Sequence, residues 1–496
     1  MKRASGLLLP ISSLPSPYGI GSFSREAYEF VDQLAEAGQS YWQILPLGPT
    51  GYGDSPYQAF STFAGSPYLI DLDALVEEGL LTREECEACD LGDNPNYVDY
   101  NKQYTYRMPL LMQAYRRSKI GERPEFRQFV KENEWWLKDY ALYMGVKKCF
   151  KGLAWSDWAQ DIRLRWGYSL DYYYRECAEE IEFREFLQFE FYRQWTRLKK
   201  YANDKGIKII GDLPIYVAFD SADAWAHPQL FQFDEENYPV AVAGVPPDAF
   251  SDTGQLWGNP LYRWDYHRGT GYEWWISRMR HAYKLYDVVR VDHFRGFDEY
   301  FSVPYGSATA ANGHWEKGPG LELFEAMKRA LGERELIAED LGVITPSVEK
   351  LVRDSGFPNM RVLEFGFEPE EPNCPHMPHR FDTNCVVYTG THDNETLVGW
   401  YRNLTPKRRK YVQEYLQHAC GRQDALHWDI IRLAMMSCAN LCVFPLQDVL
   451  ARGNEARMNH PSTLGTNWQW RVRKGEFTED RIEKLRRMTE YSYRLR

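Results

Sequence analysis

Several features that assign a chain to a class are scarce or absent in these 496 residues. No apolar run approaches the roughly 20 residues of a membrane-spanning helix, so a membrane protein is not expected. Only a few apolar residues precede Pro10, too few for a signal peptide, and we therefore expect a cytoplasmic protein. The 59 basic residues are outnumbered by 70 acidic ones, and the net charge of −11 disfavours a nucleic-acid-binding protein.

The cysteines also lack a pattern typical of a disulfide framework or a zinc site. The nine cysteines are an odd number and are scattered, which is typical of reduced thiols in a cytosolic protein. Cys86 and Cys89 form one C-x-x-C pair, but no second pair or nearby histidine completes a zinc site. We therefore interpret this pair as incidental. The sequence shows no internal repeat and no low-complexity segment.

Aromatic residues, in contrast, are plentiful, with 17 Trp, 34 Tyr and 25 Phe. They could build a large aromatic core. They could equally bind sugars, because an aromatic face stacks on the apolar C–H face of a pyranose ring. Composition leaves both interpretations open.

The order of secondary-structure signals predicts an α/β fold. The length allows two or three ordinary domains or one enlarged α/β barrel. Short apolar runs typical of buried strands begin near residues 7, 41, 207, 287, 336, 361, 385 and 441, mostly with helical patterns between them. Eight such units predict a single catalytic (β/α)₈ TIM barrel over residues 1–496, with its active site at the carboxyl ends of the strands. Residues 66–200 are predicted as a helical insertion, and residues 214–270 as an active-site loop insertion.

Four carboxylates follow four of the predicted strands: Asp212, Asp292, Glu339 and Asp393. Each one alone could cap the next helix. Four at one mouth of a barrel are different, because like charges brought together raise each other's pKa and destabilise the fold. A chain that keeps such a cluster is expected to use it.

Two kinds of carboxyl chemistry fit this cluster, metal binding and glycosyl transfer. His293 and His392 each adjoin a carboxylate and could add metal ligands. Arg290, however, stands beside Asp292 as a fixed cation, and it is expected to lower the pKa of Asp292 and keep this carboxylate ionised, as a nucleophile requires. The abundant aromatics favour the sugar interpretation.

Five motifs, in order along nearly the whole chain, carry a resemblance to a known family. They are Gly48-Pro49-Thr50-Gly51-Tyr52-Gly53-Asp54-Ser55-Pro56-Tyr57-Gln58, Gly211-Asp212-Leu213-Pro214-Ile215-Tyr216-Val217, Arg290-Val291-Asp292-His293-Phe294-Arg295-Gly296, Ala338-Glu339-Asp340-Leu341-Gly342 and Thr391-His392-Asp393-Asn394. Together they resemble glycoside hydrolase family 77, the amylomaltases or 4-α-glucanotransferases.

The resemblance implies a role for each of three carboxylates. Asp292 is implied as the nucleophile, Glu339 as the general acid/base and Asp393 as the stabiliser of the transition state. Among the other matching positions, Arg290 is implied to orient Asp292. The implied substrate-binding set is Tyr57, Asp212, Trp257, Arg290, Phe365, His392 and Asn467. The segment 244–258 resembles a family loop that closes over the acceptor. Trp257 and Phe365 could also be packing residues.

The activity implied is the retaining transfer of α-1,4-glucan segments to glucose or an acceptor glucan, without cofactor or metal. Malto-oligosaccharides, amylose or starch-type glucans would be the donors, and no nucleic acid or membrane partner is expected. A hydrolase of α-1,4-glucans is the nearest alternative, and a non-catalytic glucan-binding scaffold is a second. Monomer and homodimer both stay open.

Overall fold

The computed structural model of the chain describes residues 1–51, 53–247, 252–421 and 425–495. Tyr52, in the loop after the second predicted strand, lies outside the described residues. So do residues 248–251 of the predicted acceptor-side loop.

Eight strands, each parallel to its neighbours, form the central sheet. In chain order they are Ala4–Leu8, Tyr41–Gln43, Lys208–Leu213, Val288–Val291, Leu336–Ala338, Asn359–Val362, Cys385–Tyr388 and Leu441–Pro445. The first strand pairs with both the eighth and the second, so the sheet curls round on itself. Between the fifth and sixth strands, the N–H of Ala338 donates to the carbonyl oxygen of Pro358 at 3.0 Å. The predicted (β/α)₈ barrel is confirmed.

The alternation of side chains along the fourth strand explains why it ends in charge. Val288 packs with the side chains that fill the barrel interior, whereas Val289 and Val291 belong to the outer core between sheet and helices. Because side chains alternate with a period of two, Arg290 and Asp292 lie on the same face as Val288. The apolar residues thus build the strand, and its interior face delivers the two charges to the mouth.

Helices cover the outside of the barrel. They are Arg25–Glu36, Ala178–Asp204, Glu273–Leu285, Leu321–Leu331, Pro346–Ser355, Leu397–Asn403, Pro406–Cys420, Leu426–Met436 and Glu479–Tyr491. Pro346 and Pro406 stand at the first position of their helices, where proline is tolerated because the missing N–H has no partner to lose. Between the sixth and seventh strands the described chain forms only short 3₁₀ turns instead of an α-helix.

Between the second and third barrel strands the chain is helical. Its helices are Leu72–Glu77, Arg83–Ala88, Tyr100–Lys102, Met108–Ser118, Pro124–Cys149, Gln160–Arg163, Gly167–Glu176 and Ala178–Asp204, and a π-helical turn, Gln103–Arg107, joins the third to the fourth. We propose that residues 66–200 of this region are an insertion into the barrel. The last of its helices, Ala178–Asp204, returns the chain to the third strand.

The segment after the third strand, which includes residues 214–270 of the predicted active-site loop insertion, contains regular elements. It contains the helix Ala222–Ala226 and the strands Ala241–Val245 and Gln255–Pro260, and Trp264–Gly269 follows as a short helix. The two strands join a later hairpin, Glu299–Pro304 with His314–Lys317, in an antiparallel four-stranded sheet. The strand Ala241–Val245 pairs both with its neighbour Gln255–Pro260 and with the distant strand Glu299–Pro304, and no local sequence pattern reports the distant pairing.

The remaining elements are short. One helix, Leu446–Val449, follows the eighth strand directly. The 3₁₀ turns are Ile11–Ser13, Pro67–Leu69, Ile120–Glu122, Trp155–Asp157, Pro228–Leu230, Phe294–Phe297, Leu363–Phe365, Pro378–Arg380 and Asn454–Ala456.

No helix among the described residues combines the length and the apolar character needed to cross a membrane.

Candidate active site

The register of two neighbouring barrel strands creates the first part of the site. Asp212 in the third strand is paired directly with Arg290 in the fourth. The Arg290 guanidinium donates through Nη1 to both carboxylate oxygens of Asp212, at 2.7 and 2.6 Å, and both side chains are buried. Burial alone would lower the pKa of Arg290, but the charges of Asp212 and Asp292 raise it well above its ordinary value. This ion pair is a fixed charged base beneath the mouth of the barrel.

Asp292 lies next to this pair but is held more loosely. Arg290 Nη1 is 3.3 Å from Asp292 Oδ1, and the Asp292 side chain keeps 29% of its surface exposed, whereas Asp212 keeps none. Burial raises the pKa of Asp292 to about 6, and Arg290 opposes this shift without cancelling it. Arg290 thus lowers the pKa of Asp292 as expected, but burial and the charges of Asp212 and Asp393 outweigh it, and the net shift is upward. Arg290 is primarily the partner of Asp212, and Asp292 is left accessible to a substrate.

A stacked pair of rings joins Asp212 to the seventh strand. The Tyr57 hydroxyl donates to Asp212 Oδ2 at 2.7 Å and lies 2.9 Å from His392 Nε2. The Tyr57 and His392 rings are parallel to within 19°, with their centres 5.3 Å apart. Trp468 approaches both rings at an angle, with centres 5.8 and 5.9 Å away. Three aromatic groups therefore wall this side of the site.

Asp393 is surrounded by groups that stabilise its charge. His392 Nε2 lies 3.3 Å from Asp393 Oδ2, and Asn459 Nδ2 donates to Asp393 Oδ1 at 2.6 Å. Arg457 donates to the Asp393 backbone carbonyl at 2.7 Å and fixes the turn. Burial would raise the pKa of Asp393, but the His392 charge and the hydrogen bonds from His392 and Asn459 hold it well below its ordinary value. Asp393 is thus ionised throughout the neutral range.

Glu339, at the end of the fifth strand, is held by backbone N–H groups. The N–H of His293 donates to Oε2 at 2.6 Å, and the N–H of Leu341 donates to Oε1 at 3.0 Å. Burial raises the pKa of Glu339 to about 8, and the nearby charge of Asp292 adds to this effect, while Arg290 and the two N–H groups oppose it. Glu339 therefore holds a proton at neutral pH, which is the state a general acid needs.

The other predicted binding residues are placed differently. The ring of Trp257 meets the ring of His293 edge-to-face, with centres 4.8 Å apart. It thus contacts the residue whose backbone N–H holds the Glu339 carboxyl. Phe365 stands in the turn after the sixth strand, where 44% of its surface is exposed and its ring contacts that of His376. The Asn467 side chain is occupied with the segment of His460 and Thr463, through bonds of 2.9 to 3.3 Å.

The sequence analysis missed two contributors to the site, Asn459 and Trp468. Both lie in the long segment between the eighth strand and the last helix. Loops that follow barrel strands carry the active site in this architecture, so a long polar segment in this place was the available signal.

Metal binding was the other chemistry left open for the carboxylate cluster. Among the residues that the structure describes, no group of three or more His, Cys, Asp or Glu side chains is placed so that it could hold a metal ion.

Comparison with known proteins adds independent information. The family described as 4-alpha-glucanotransferase matches residues 9–477. A 4-alpha-glucanotransferase of Clostridium butyricum is 47% identical over 97% of this chain and 98% of its own length. One of Thermus thermophilus is 48% identical over the full length of both chains. The solved structure titled as an amylomaltase from Streptococcus agalactiae in complex with acarbose superposes with a TM-score of 0.96, at 42% identity and full coverage of both chains.

Proposed function

The chain belongs to the 4-alpha-glucanotransferase family, glycoside hydrolase family 77, and on that premise we propose how its residues carry out the transfer. As a 4-α-glucanotransferase it acts on α-1,4-glucans and passes a glucan segment to an acceptor sugar. The reaction is a double displacement, in which two inversions at the anomeric carbon give overall retention.

In the first step Asp292 and Glu339 act together. Asp292 Oδ attacks the anomeric carbon of the donor while the Glu339 carboxyl gives its proton to the departing glycosidic oxygen. The C–O bond to the leaving glucan breaks, a glycosyl ester of Asp292 forms, and the leaving glucan departs with a free 4-hydroxyl. The ionised Asp393, placed beside its partners His392 and Asn459, stabilises the positive charge that develops on the sugar ring.

In the second step the roles reverse. Glu339, now ionised, takes the proton from the 4-hydroxyl of glucose or of an acceptor glucan. The resulting oxygen attacks the anomeric carbon, the ester bond to Asp292 breaks, and a new α-1,4 bond forms. Asp212 and His392 are proposed to bind hydroxyls of the transferred sugar, and Tyr57 is proposed to stack on it. Trp257 and Phe365 are proposed as stacking contacts for the glucan, and Asn467 as a further contact.

The observation that carries this proposal is the difference between Glu339 and Asp393, two carboxyl groups that both interact electrostatically with Asp292. Burial holds a proton on Glu339, with a pKa of about 8, while His392 and Asn459 keep Asp393 ionised. Environments that push the pKa values of neighbouring carboxyls apart are the mark of an acid and a charge stabiliser in one site. Asp292 interacts electrostatically with both, and its side chain is partly exposed.

Incubation with maltotriose tests the reaction class. Transfer is expected to give free glucose together with a ladder of longer malto-oligosaccharides. Products that only shorten would favour the hydrolase alternative, and an unchanged substrate would favour the glucan-binding scaffold.

The donor range, maltodextrins through amylose to starch-type glucans, is proposed from the family's reaction. The cytoplasmic location and the choice between monomer and homodimer stay predictions.

A further inference from the structure

Arg295 is a buried cation that the proposed mechanism leaves without a task. Its residue surface is only 3% exposed. The acidic groups whose charges act on it are engaged elsewhere, since Glu299 pairs with Lys317 at 2.6 Å and Asp298 accepts a hydrogen bond from Ser347. Among the residues that the structure describes, no carboxylate pairs with Arg295, and burying an unpaired guanidinium costs stability. An arrangement that carries such a cost needs a compensating role.

The contacts that Arg295 does make join two segments of the mouth. Its Nη1 donates to the carbonyl oxygen of Val343, in the segment after Glu339. Its guanidinium carbon lies 3.8 Å from the ring centre of Trp315, a distance typical of a strong cation–π contact. Arg295 itself stands three residues after Asp292. It therefore ties the turn after the fourth strand to the segment after the fifth.

These two segments are the ones that hold Glu339. His293 has a left-handed backbone, with φ of 52°, and its N–H donates to Glu339 Oε2 at 2.6 Å. The next N–H, of Phe294, donates to the Glu339 backbone carbonyl at 3.0 Å. On the other side, the N–H of Leu341 holds Oε1. The position of the carboxyl group thus depends on the separation of two pieces of backbone.

We propose that Arg295 is a positioning residue for Glu339: it fixes the turn His293–Arg295 against the segment Leu341–Val343, whose backbone N–H groups hold the two carboxyl oxygens. This inference rests on the proposed role of Glu339 as general acid/base. Arg295 touches no reacting atom and acts through the two backbone segments.

The four-stranded sheet completes this arrangement. Trp315 comes from its strand His314–Lys317, and Trp257 comes from its strand Gln255–Pro260. One sheet therefore contacts the turn twice, through Trp315 on Arg295 and through Trp257 on the ring of His293, 4.8 Å away. The same sheet carries Trp257, a proposed contact for the glucan. It is thereby linked to Glu339, the group proposed to activate the acceptor.

This linkage bears on the choice between sugar and water in the second step. A sugar hydroxyl held by binding contacts approaches Glu339 from one direction, whereas water can reach a displaced carboxylate from many. Displacing Glu339 should therefore slow transfer more than hydrolysis. Loss of Arg295 is expected to raise the share of hydrolysis among the products.

Two donors that differ only in their leaving group test the proposal. The kcat/KM for maltotriose depends on protonation of the leaving oxygen, whereas α-maltosyl fluoride releases fluoride without needing a general acid. We expect Arg295→Ala to lower kcat/KM for maltotriose by a factor on the order of 10², and to lower that for the fluoride by less than about threefold. Trp315→Ala should show the same donor dependence at smaller size, and Trp315→Phe should resemble the unsubstituted protein.

The control and reference variants separate the possible failures. Arg268→Ala removes an exposed arginine paired with Glu322 and should leave both donors unaffected. Glu339→Gln should show a large donor dependence, and if it does not, the assignment of Glu339 fails regardless of Arg295. An equal loss for both donors in Arg295→Ala, with Glu339→Gln behaving as expected, overturns the positioning role.

Two further variants keep the test decisive if Arg295→Ala does not fold. Arg295→Lys keeps the charge but cannot reproduce the planar contact with Trp315 and the bond to Val343 together. It should show a partial, donor-dependent loss, as should Trp315→Ala. A loss independent of the donor in both variants contradicts the proposal.

Discussion

The two sides of Asp292 hold their carboxyl groups by opposite means. On the side of the seventh strand, Asp393 receives side-chain hydrogen bonds from an imidazole and an amide, and its charge is stabilised. On the side of the fifth strand, the hydrogen-bond partners of the Glu339 carboxyl among the described residues are backbone N–H groups in a buried pocket, and its proton is retained. Both carboxyls stand at carboxyl ends of barrel strands. Their partners, and not their positions in the fold, decide which is ionised.

This difference has a structural origin. The Asp393 side is built from segments after the seventh and eighth strands, which bring the polar groups of His392 and Asn459 to the carboxylate beside the ring of Trp468. The Glu339 side is built from the tight turn at His293 and from the aromatic contacts of the four-stranded sheet. The side-chain partners of Asp393 stabilise its charge, whereas burial of Glu339 favours its neutral form. The mouth of the barrel thus has an ionising half around Asp393 and a protonating half around Glu339, and Asp292, the proposed nucleophile, interacts with the charges of both.

The largest expected effect comes from removing the carboxylate of Asp292, the proposed nucleophile. Asp292→Asn should lower kcat for maltotriose disproportionation by a factor on the order of 10⁴ or more, because no other group can form the glycosyl ester. Steady-state kinetics measures this loss, with thermal unfolding as the check on folding.

The matched control for this variant is Asp340→Asn. Asp340 is a buried carboxylate at the same mouth, and burial raises its pKa to about 6 as well, but it accepts a hydrogen bond from the Met360 N–H and has no assigned role in the chemistry. Its substitution should change kcat less than about tenfold. A loss in Asp340→Asn equal to that in Asp292→Asn contradicts the special role of Asp292.

The pH profile tests the protonation difference directly. Asp292 must be ionised to attack, so kcat/KM should fall as pH drops below about 6. Glu339 must be protonated to donate, so kcat/KM should also fall as pH rises above about 8. The result is a bell-shaped profile with its plateau between these values. In Glu339→Gln the alkaline limb should disappear, and an alkaline limb that survives this substitution would belong to another group.

A smaller effect is expected from weakening the ionising half. Asn459→Ala removes the 2.6 Å hydrogen bond to Asp393 Oδ1. A hydrogen bond to a charged group contributes about 1.5–3 kcal/mol, so kcat should fall about 10- to 150-fold if this bond strengthens in the transition state. Asn459→Asp places a second negative charge there and should cost more than Asn459→Ala. Activities in the reverse order would show that Asn459 acts by shape alone.

The barrel and its carboxylates were accessible from the sequence because their signals are local. Apolar runs marked the eight strands, and the residue after each run marked the mouth. Asp212, Asp292 and Glu339 could all be placed in this way, since the end of a strand is a short-range property. The resemblance to the family then supplied the division of roles.

The details that set the chemistry were not accessible, because they depend on contacts between distant segments. Arg290 was expected to serve Asp292, but strand register pairs it with Asp212, and burial outweighs its effect on the Asp292 pKa. Asn459 reaches Asp393 from 66 positions further along the chain. The four-stranded sheet was missed for the same reason. Local sequence patterns report the strands themselves but not which side chains meet at their ends.

The smallest expected effect concerns a residue that supports the mouth from outside the barrel. Gln188, on the helix Ala178–Asp204, accepts from the Gly65 N–H at 2.7 Å and donates to the Gly65 carbonyl at 2.9 Å. Gly65 ends the loop that carries Tyr57, and a Cβ at position 65 would come within 2.3 Å of the Phe191 ring on the same helix. The helix therefore holds this loop by the close packing of Phe191 on Gly65 and by hydrogen bonds to both the N–H and the carbonyl of Gly65.

Gln188→Ala leaves those two backbone groups buried and unpaired. We expect the free energy of unfolding to fall by about 2–4 kcal/mol, because each unsatisfied group costs about 1–3 kcal/mol and the packing relaxes in part. Urea titration measures this loss. Gln188→Glu keeps the acceptor for the Gly65 N–H but loses the donor to the Gly65 carbonyl. Its free energy of unfolding should lie between those of the unsubstituted protein and Gln188→Ala. Because Tyr57 is also held by Asp212 and His392, kcat of Gln188→Ala should change less than about tenfold. A loss of kcat as large as that of Asn459→Ala would mean that the helix Ala178–Asp204 sets the position of Tyr57. The ion pair of Asp212 and Arg290 would then not be what holds this ring.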